Sequence, residues 1–237
     1  MTEKPSEIIL IENLKVIRER IAVAAEKSGR TASDVRLMAV TKTVAPELVN
    51  VSIENGIDLL GENRVQEYLD KREFYIPDTE THFIGHLQTN KVKYIIDKVS
   101  MIQSVDSVKL AREISKNAVK NSLVMNILVE INIGEESSKS GTSPKQALEL
   151  VCEIAELPGI CVKGLMSIPP ICDKKADSLH YFSRLKQIFV DIGDKNIDNV
   201  YMDCLSMGMS QDYEAAIEMG SNIVRIGSAL FGQRQYN

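Results

Sequence analysis

The sequence predicts an α/β protein, a single (β/α)₈ TIM-type barrel with an extra helix at its N-terminus. Eight short apolar runs alternate with amphipathic segments along the 237 residues, a pattern typical of parallel strands joined by crossover helices. The alternative, an open doubly wound sheet, usually shows a Gly-rich fingerprint after its first strand, which this sequence lacks. No linker or change of composition divides the chain, so residues 1–237 are predicted to form one domain.

The predicted elements follow in order. Residues 6–29 begin with apolar side chains at helical spacing, and Ser28-Gly29 ends that helix. The eight predicted strands are Val35–Thr41, Ile57–Leu60, Thr81–Gly85, Val99–Val105, Leu123–Ile133, Val162–Ile168, Val200–Leu205 and Ile223–Phe231. Helical patterns between them are clearest at Ser107–Asn121, Pro144–Leu157 and about Ala176 to Ile192.

Composition and charge exclude several classes of function. The formal net charge of −5 does not favour nucleic-acid binding, which needs a basic face. No stretch approaches the ~20 apolar residues of a membrane span, and the N-terminus has no apolar signal region. Cysteines 152, 161, 172 and 204 form no CxxC pair, so neither a disulfide framework nor a metal site is predicted. Free thiols fit a reducing compartment, and we therefore expect a cytoplasmic protein.

Lys42 is the first candidate site residue. In barrels of this class the working residues follow the strands, on the C-terminal face. Lys42 ends the first apolar run, and partial burial there would favour its neutral, nucleophilic amine. Such an amine forms a Schiff base with a carbonyl compound. A solvated lysine just past a strand is the alternative from position alone.

Two segments rich in glycine and serine indicate a phosphate site. Ser206-Met207-Gly208-Met209-Ser210 follows the seventh predicted strand, and Arg225-Ile226-Gly227-Ser228 lies in the eighth. Barrels of this class often bind phosphate there through backbone N–H groups and hydroxyls. Ordinary turn chemistry is the alternative. A Schiff-base lysine near a phosphate site suggests a phosphorylated carbonyl compound, either a sugar phosphate or pyridoxal phosphate.

Longer motifs carry a resemblance to a known family. They include Ala39-Val40-Thr41-Lys42-Thr43, Gly61-Glu62-Asn63-Arg64-Val65-Gln66-Glu67, His82-Phe83-Ile84-Gly85-His86-Leu87-Gln88, Gly164-Leu165-Met166-Ser167-Ile168-Pro169-Pro170 and Val224-Arg225-Ile226-Gly227-Ser228-Ala229-Leu230-Phe231-Gly232. With these motifs the chain resembles the pyridoxal phosphate homeostasis proteins, a family of pyridoxal-phosphate-binding proteins, over nearly its whole length. The resemblance implies a barrel like the N-terminal domain of alanine racemase.

The resemblance also implies a cofactor, pyridoxal 5′-phosphate (PLP), and the residues that bind it. Lys42 would hold PLP as an internal aldimine. Ser206, Gly227 and Ser228 would bind the phosphate. No catalytic residue and no metal ligand is implied.

Three more residues would lie around the cofactor ring. Asn63 and Met166 would be near the ring, and Arg225 would face the pyridine nitrogen. Arginine stays protonated and has no acceptor lone pair, so it leaves the ring nitrogen neutral and the cofactor a poorer electron sink. That placement argues against transamination.

The leading hypothesis is a PLP-binding protein that acts in PLP homeostasis without turnover, as a monomer, with apo PLP-dependent enzymes as possible partners. The alternatives are an amino-acid racemase and a Schiff-base lyase acting on a sugar phosphate. In alanine racemases the second base is a tyrosine from an additional domain of the partner subunit. We expect no room for that domain before Asn237, so a racemase would need one of its own tyrosines, such as Tyr68 or Tyr201.

Overall fold

A computed structural model describes residues 5–170 and 175–232. Eight parallel strands close into a barrel in chain order, with β1 paired to both β2 and β8. The strands are β1 Arg36–Val40, β2 Leu59–Glu62, β3 Glu80–Phe83, β4 Met101–Val105, β5 Met125–Glu130, β6 Ile160–Met166, β7 Val200–Met209 and β8 Ile223–Ile226. The predicted (β/α)₈ barrel is therefore confirmed.

Helices surround the strands. They are α1 Pro5–Lys27, α2 Pro46–Glu54, α3 Val65–Lys71, α4 Val108–Lys120, α5 Ala147–Ala155, α6 Lys175–Gly193, α7 Tyr213–Glu218 and α8 Ser228–Phe231. A 3₁₀-helix, Thr89–Tyr94, takes the place of a helix between β3 and β4. Within residues 5–170 and 175–232, no helix has the length and apolarity needed to cross a membrane.

The extra N-terminal helix, α1, lies outside the barrel against α7 and α8. Its buried face consists of Leu10, Leu14, Ile17, Ile21, Ala24 and Ala25. Asn13 Nδ2 donates a hydrogen bond to the carbonyl of Leu230 in α8 at 3.1 Å. The helix ends before Gly29, whose φ of +72° is a conformation that favours glycine. The predicted helix at residues 6–29 is thus present and covers the two helices nearest the chain's last strand.

Inside the barrel, apolar side chains form two small clusters. The first, called the β1–β3 cluster, contains Met38, Val40, Leu59, Ile84 and Ile223. The second, called the β4–β6 cluster, contains Met101, Leu128 and Met166. The structure also buries polar side chains of the strands, described below.

Most predicted strand boundaries differ from the structure by one to three residues, and the ends of the seventh and eighth strands differ by more. The last apolar run was predicted as one strand, Ile223–Phe231, but β8 ends at Ile226 and Ser228–Phe231 is a helical turn. The periodicity of a short apolar run does not distinguish a strand from a buried helical segment. The seventh strand was predicted as Val200–Leu205, yet β7 continues to Met209 and carries its polar residues into the barrel.

Candidate functional site at the carboxyl end of the barrel

A cavity of about 550 Å³ opens at the carboxyl ends of the strands. This is the face on which barrels of this class place their sites. The cavity is lined by residues of β1, β7 and β8, by residues of α6, α7 and α8, and by the loops that follow β1, β2, β3, β6 and β7. Its polar lining residues are Lys42, Asn63, Ser178, Ser210, Gln211, Asp212, Glu214, Arg225 and Ser228, and Val40, Ile84, Ile168 and Met209 are among the apolar ones.

Lys42 lines the cavity directly after β1, and side chains of α3 fix the backbone around it. Lys71 Nζ donates to the carbonyls of Thr41 at 2.9 Å and Val44 at 3.1 Å. Glu67 Oε1 accepts from the backbone N–H of Thr43 at 2.5 Å. Thr43 adopts a φ of +63°, unusual for a β-branched residue, so this turn is held by its surroundings. The sequence did not predict that Lys71 and Glu67 of α3 hold the backbone around Lys42.

A second anchor lies beneath the same turn. Glu62 Oε1 accepts from Thr41 Oγ1 and from the Tyr75 hydroxyl, each at 2.7 Å. Glu62 is fully buried, and its Oε2 atom has no hydrogen-bond partner. Burial raises the pKa of Glu62 against the lowering effect of these two hydrogen bonds.

Ser210 joins the loop after β7 to the start of α8. Its Oγ accepts from the backbone N–H groups of Gly227 at 3.3 Å and Ala229 at 3.2 Å. Asp212 Oδ1 accepts from the N–H of Met209 at 2.6 Å and so closes the loop that carries Ser210. Backbone N–H groups and a hydroxyl therefore converge at one corner of the cavity, and this corner is called the Ser210 corner. Both N–H groups already donate to Ser210 Oγ, so an anionic oxygen would meet the Ser210 hydroxyl first and would reach the N–H groups by displacing Ser210 Oγ from them.

Arg225, in β8, points into the barrel and lines the floor of the cavity. Its Nη1 donates to Ser206 Oγ and its Nη2 to the carbonyl of Ser167, both at 2.8 Å. Burial lowers the pKa of Arg225 to about 10, with Glu130 and Asp212 acting in the opposite direction. The guanidinium is still protonated near neutral pH, and the two bonds use two of its five N–H groups.

Asn63 follows β2 and lines the cavity. Its Oδ1 atom is buried and has no hydrogen-bond partner. A buried amide oxygen without a partner costs about 1–3 kcal/mol. A ligand that donates a hydrogen bond here would remove that cost.

The structure brings together five of the seven residues predicted for the site: Lys42, Asn63, Arg225, Gly227 and Ser228 line the cavity. Ser206 and Met166 are completely buried and do not line it. Ser206 Oγ lies below the cavity between Arg225 and Gln103, and Met166 belongs to the β4–β6 cluster. β7 is longer than predicted and ends at Met209. Ser210 therefore lines the cavity at the mouth of the barrel, which is the position predicted for Ser206.

Two nearby acidic groups complete the electrostatic setting. Glu130 ends β5, and burial, reinforced by the charge of Asp106, raises its pKa to about 7. Asp106 also lies 3.8 Å from Nδ1 of His86, an exposed residue whose Nδ1 is 3.3 Å from Ser140 Oγ. Among the residues that the structure describes, no cluster of three or more His, Cys, Asp or Glu side chains could hold a metal ion.

Known proteins share the sequence and the fold of this chain. The family described as "Alanine racemase, N-terminal domain" matches residues 13–235. A pyridoxal phosphate homeostasis protein of Aquifex aeolicus is 45% identical over 226 residues, which cover 95% of this chain and 98% of that protein. The chain belongs to the pyridoxal phosphate homeostasis protein family. The resemblance that its motifs indicated is therefore confirmed.

Solved structures of similar chains agree with the family. An unknown protein from Bifidobacterium adolescentis has a TM-score of 0.91 and 33% identity, with 97% of each chain covered. PipY of Synechococcus elongatus, solved with PLP bound, has a TM-score of 0.82 and 25% identity, with 94% of this chain and 100% of that chain covered.

Proposed function

We propose that this chain binds PLP covalently through Lys42 and acts in PLP homeostasis. The observation that carries the proposal is that Lys42 and the Ser210 corner line one cavity of about 550 Å³. The PLP-bound PipY and the names of the family's relatives support the same ligand.

The residues present fit PLP. Lys42 supplies an amine that can form a covalent bond with the aldehyde carbon. At the Ser210 corner the hydroxyls of Ser210 and Ser228 would donate to the phosphate, and the N–H of Gly227 would do so once the phosphate displaces Ser210 Oγ from it. Bound PLP would bring an electrophilic ring that can accept electrons from an attached amino acid. Arg225 would donate a hydrogen bond to the pyridine nitrogen and keep it unprotonated, because a guanidinium has no lone pair with which to hold a proton there.

We further propose that the site does not turn over amino acids. A racemase needs a base on each face of the substrate carbon, and within the described part of the chain no tyrosine lines the cavity. Tyr68 is buried outside the barrel, where its hydroxyl donates to the carbonyl of Lys98 at 2.5 Å. Tyr201 lies at the start of β7, at the opposite end of the barrel, and is half exposed.

The covalent attachment is tested with Lys42→Ala. Wild-type protein mixed with PLP should gain a visible absorption band, and borohydride reduction should fix the cofactor on the peptide that contains Lys42. Lys42→Ala should lose both signals because the amine is gone. Lys93→Ala, an exposed lysine outside the cavity, is the matched control and should behave as wild type. A reduced adduct that persists in Lys42→Ala would overturn the assignment.

The absence of turnover is tested by exchange of the substrate α-proton. PLP-loaded protein is incubated with L-alanine in D₂O, and the α-proton signal is followed by NMR. We expect a rate no higher than that of free PLP at the same concentration. Faster exchange, lost in Lys42→Ala, would show that the protein is an enzyme.

We also propose a compartment, an oligomeric state and a class of partner for this protein. Cys152, Cys161 and Cys204 are unpaired, which supports a reducing compartment such as the cytoplasm. We propose that the protein acts there as a monomer and delivers PLP to apo PLP-dependent enzymes. Light scattering of the loaded protein measures its mass, and activation of an apo-aminotransferase faster than by released PLP alone would support delivery.

A further inference from the structure

Five polar side chains from four strands form one hydrogen-bonded row through the barrel, called the interior row: Glu80, His82, Gln103, Ser206 and Arg225. Arg225 Nη1 donates to Ser206 Oγ at 2.8 Å, and Ser206 Oγ donates to Gln103 Oε1 at 2.7 Å. Gln103 Nε2 donates to His82 Nδ1, and His82 Nε2 donates to Glu80 Oε1, both at 2.8 Å. The row starts at the cavity and ends at the first residue of β3, on the opposite face of the barrel.

Every hydrogen bond of the interior row points the same way, from a cation to a carboxylate. Since Gln103 Nε2 is a donor, His82 Nδ1 must accept, and the ring proton sits on Nε2. His82 is therefore held as one neutral tautomer, with each ring nitrogen committed to a partner. Hydrogen bonds aligned in a chain polarise one another, so each link strengthens the next.

The row is buried, and stability alone does not explain it. His82, Gln103, Ser206 and Arg225 are each at most 3% exposed. The barrel interior also contains the β1–β3 cluster and the β4–β6 cluster, both apolar. Replacing a buried polar network by well-packed apolar residues is often neutral or stabilising. The interior row therefore indicates a functional role at one of its two ends. Arg225 is the end that lines the cavity.

The far end of the row is anchored. Glu80 Oε2 accepts from Arg36 Nη2 at 2.8 Å, and Arg36 also lies 3.5 Å from Asp58. The hydrogen bond from His82, with the help of Arg36, lowers the pKa of Glu80 to about 2. Glu80 therefore remains a carboxylate at every pH at which the protein would work, and it fixes the direction of the row.

We propose that His82 and Gln103 are positioning residues of Arg225. Through Ser206 they hold one arm of the guanidinium, while the carbonyl of Ser167 holds the other. Arg225 thereby presents its remaining N–H groups to the cavity in one orientation. The part of this inference that concerns a ligand rests on the proposed function; the part that concerns Arg225 itself does not.

The inference is tested first without PLP. In ¹⁵N-labelled protein, the ring nitrogens of His82 should report the Nε2–H tautomer, and the guanidinium of Arg225 should give a distinct, slowly exchanging signal. Gln103→Leu and His82→Phe should broaden or shift the Arg225 signal, although neither residue touches Arg225. Ser104→Ala is the matched control, because Ser104 is buried on the same strand, its hydroxyl has no partner, and it lies outside the row.

A conservative variant separates positioning from simple loss of packing. In Gln103→Glu, one carboxylate oxygen can still accept from Ser206, and the other faces His82 Nδ1. We expect His82 to become doubly protonated while the Arg225 signal stays as in wild type. This variant keeps the test decisive if Gln103→Leu fails to fold.

The second test uses PLP-loaded protein. Gln103→Leu and His82→Phe should weaken PLP binding about tenfold and shift its absorption maximum, whereas Ser104→Ala and Gln103→Glu should stay within about twofold of wild type. If PLP binds normally and the row variants match Ser104→Ala in both experiments, the inference is overturned. If PLP does not bind at Lys42 at all, the proposed function fails, and the Arg225 signal in the unloaded protein still decides the inference.

Discussion

At the scale of single residues, the burial of Glu130 makes stability depend on pH. Its folded-state pKa of about 7 lies above the ordinary value of 4.5. A raised pKa means that the contribution of protonated Glu130 to stability is fully present below about pH 4.5 and is lost as the pH rises through 7. A difference of this size corresponds to about 3 kcal/mol in all.

We therefore predict that Glu130→Gln flattens this dependence. Between pH 5 and pH 8, the wild-type free energy of unfolding should fall by roughly 2 kcal/mol more than that of the variant, because the amide has no proton to lose. Urea unfolding at both pH values, without PLP, measures the difference. Glu149→Gln, an exposed carboxylate on α5, should retain the wild-type slope. Equal slopes in wild type and Glu130→Gln would show that Glu130 titrates normally.

The site residues show how far sequence can locate a side chain. Lys42 could be placed because the end of its strand coincides with the end of an apolar run. Ser206 was predicted at the mouth and Met166 beside the ring, yet both face the barrel interior below the cavity. The sequence did not reveal that β7 continues through Met207 and Met209. Gln103 was missed because its partners come from other strands, His82 from the neighbouring β3 and Ser206 from β7, and such contacts exist only after the sheet forms.

At the scale of elements, α1 contributes by packing rather than through the site. Leu14 is 2% exposed on its buried face, whereas Val16 on the same helix is 45% exposed. We predict that Leu14→Ala lowers the free energy of unfolding by about 2–4 kcal/mol. Val16→Ala should change it by no more than about 0.5 kcal/mol. Urea unfolding compares the two, and equal losses would mean that α1 does not dock as described.

Element boundaries were predictable only where the pattern changed sharply. The end of α1 was marked by Gly29, and Ser107 before α4 accepts a hydrogen bond from the N–H of Leu110 at 3.4 Å, as an N-cap residue does. The end of β8 carried no such mark, because Ile226 and Leu230 are both buried, the first in a strand and the second in a helix. Tertiary packing decided that boundary.

At the scale of the whole molecule, the proposed ligand would bridge the seam at which the barrel closes. β1 and β8 are paired through Met38 with Arg225 and Ala39 with Ile226. Lys42 follows β1, and Gly227 and Ser228 follow β8, so a ligand bound at both ends would join the first strand to the last. A ligand that binds only the closed barrel stabilises it by mass action.

PLP should therefore raise the melting temperature of the entire barrel. At a concentration of about 100 times its dissociation constant, binding contributes about 2.7 kcal/mol, which for a domain of this size is a rise of about 5–10 °C. Pyridoxal lacks the phosphate, and inorganic phosphate lacks the aldehyde. Each would contact one side of the seam, so each should raise the melting temperature by less than PLP does. In Lys42→Ala the PLP shift should shrink to that of inorganic phosphate. If inorganic phosphate alone reproduces the full wild-type shift in melting temperature, the covalent bond to Lys42 adds nothing to the stability of the barrel. The contacts with Gly227 and Ser228 after β8 would then account for all of the stabilisation.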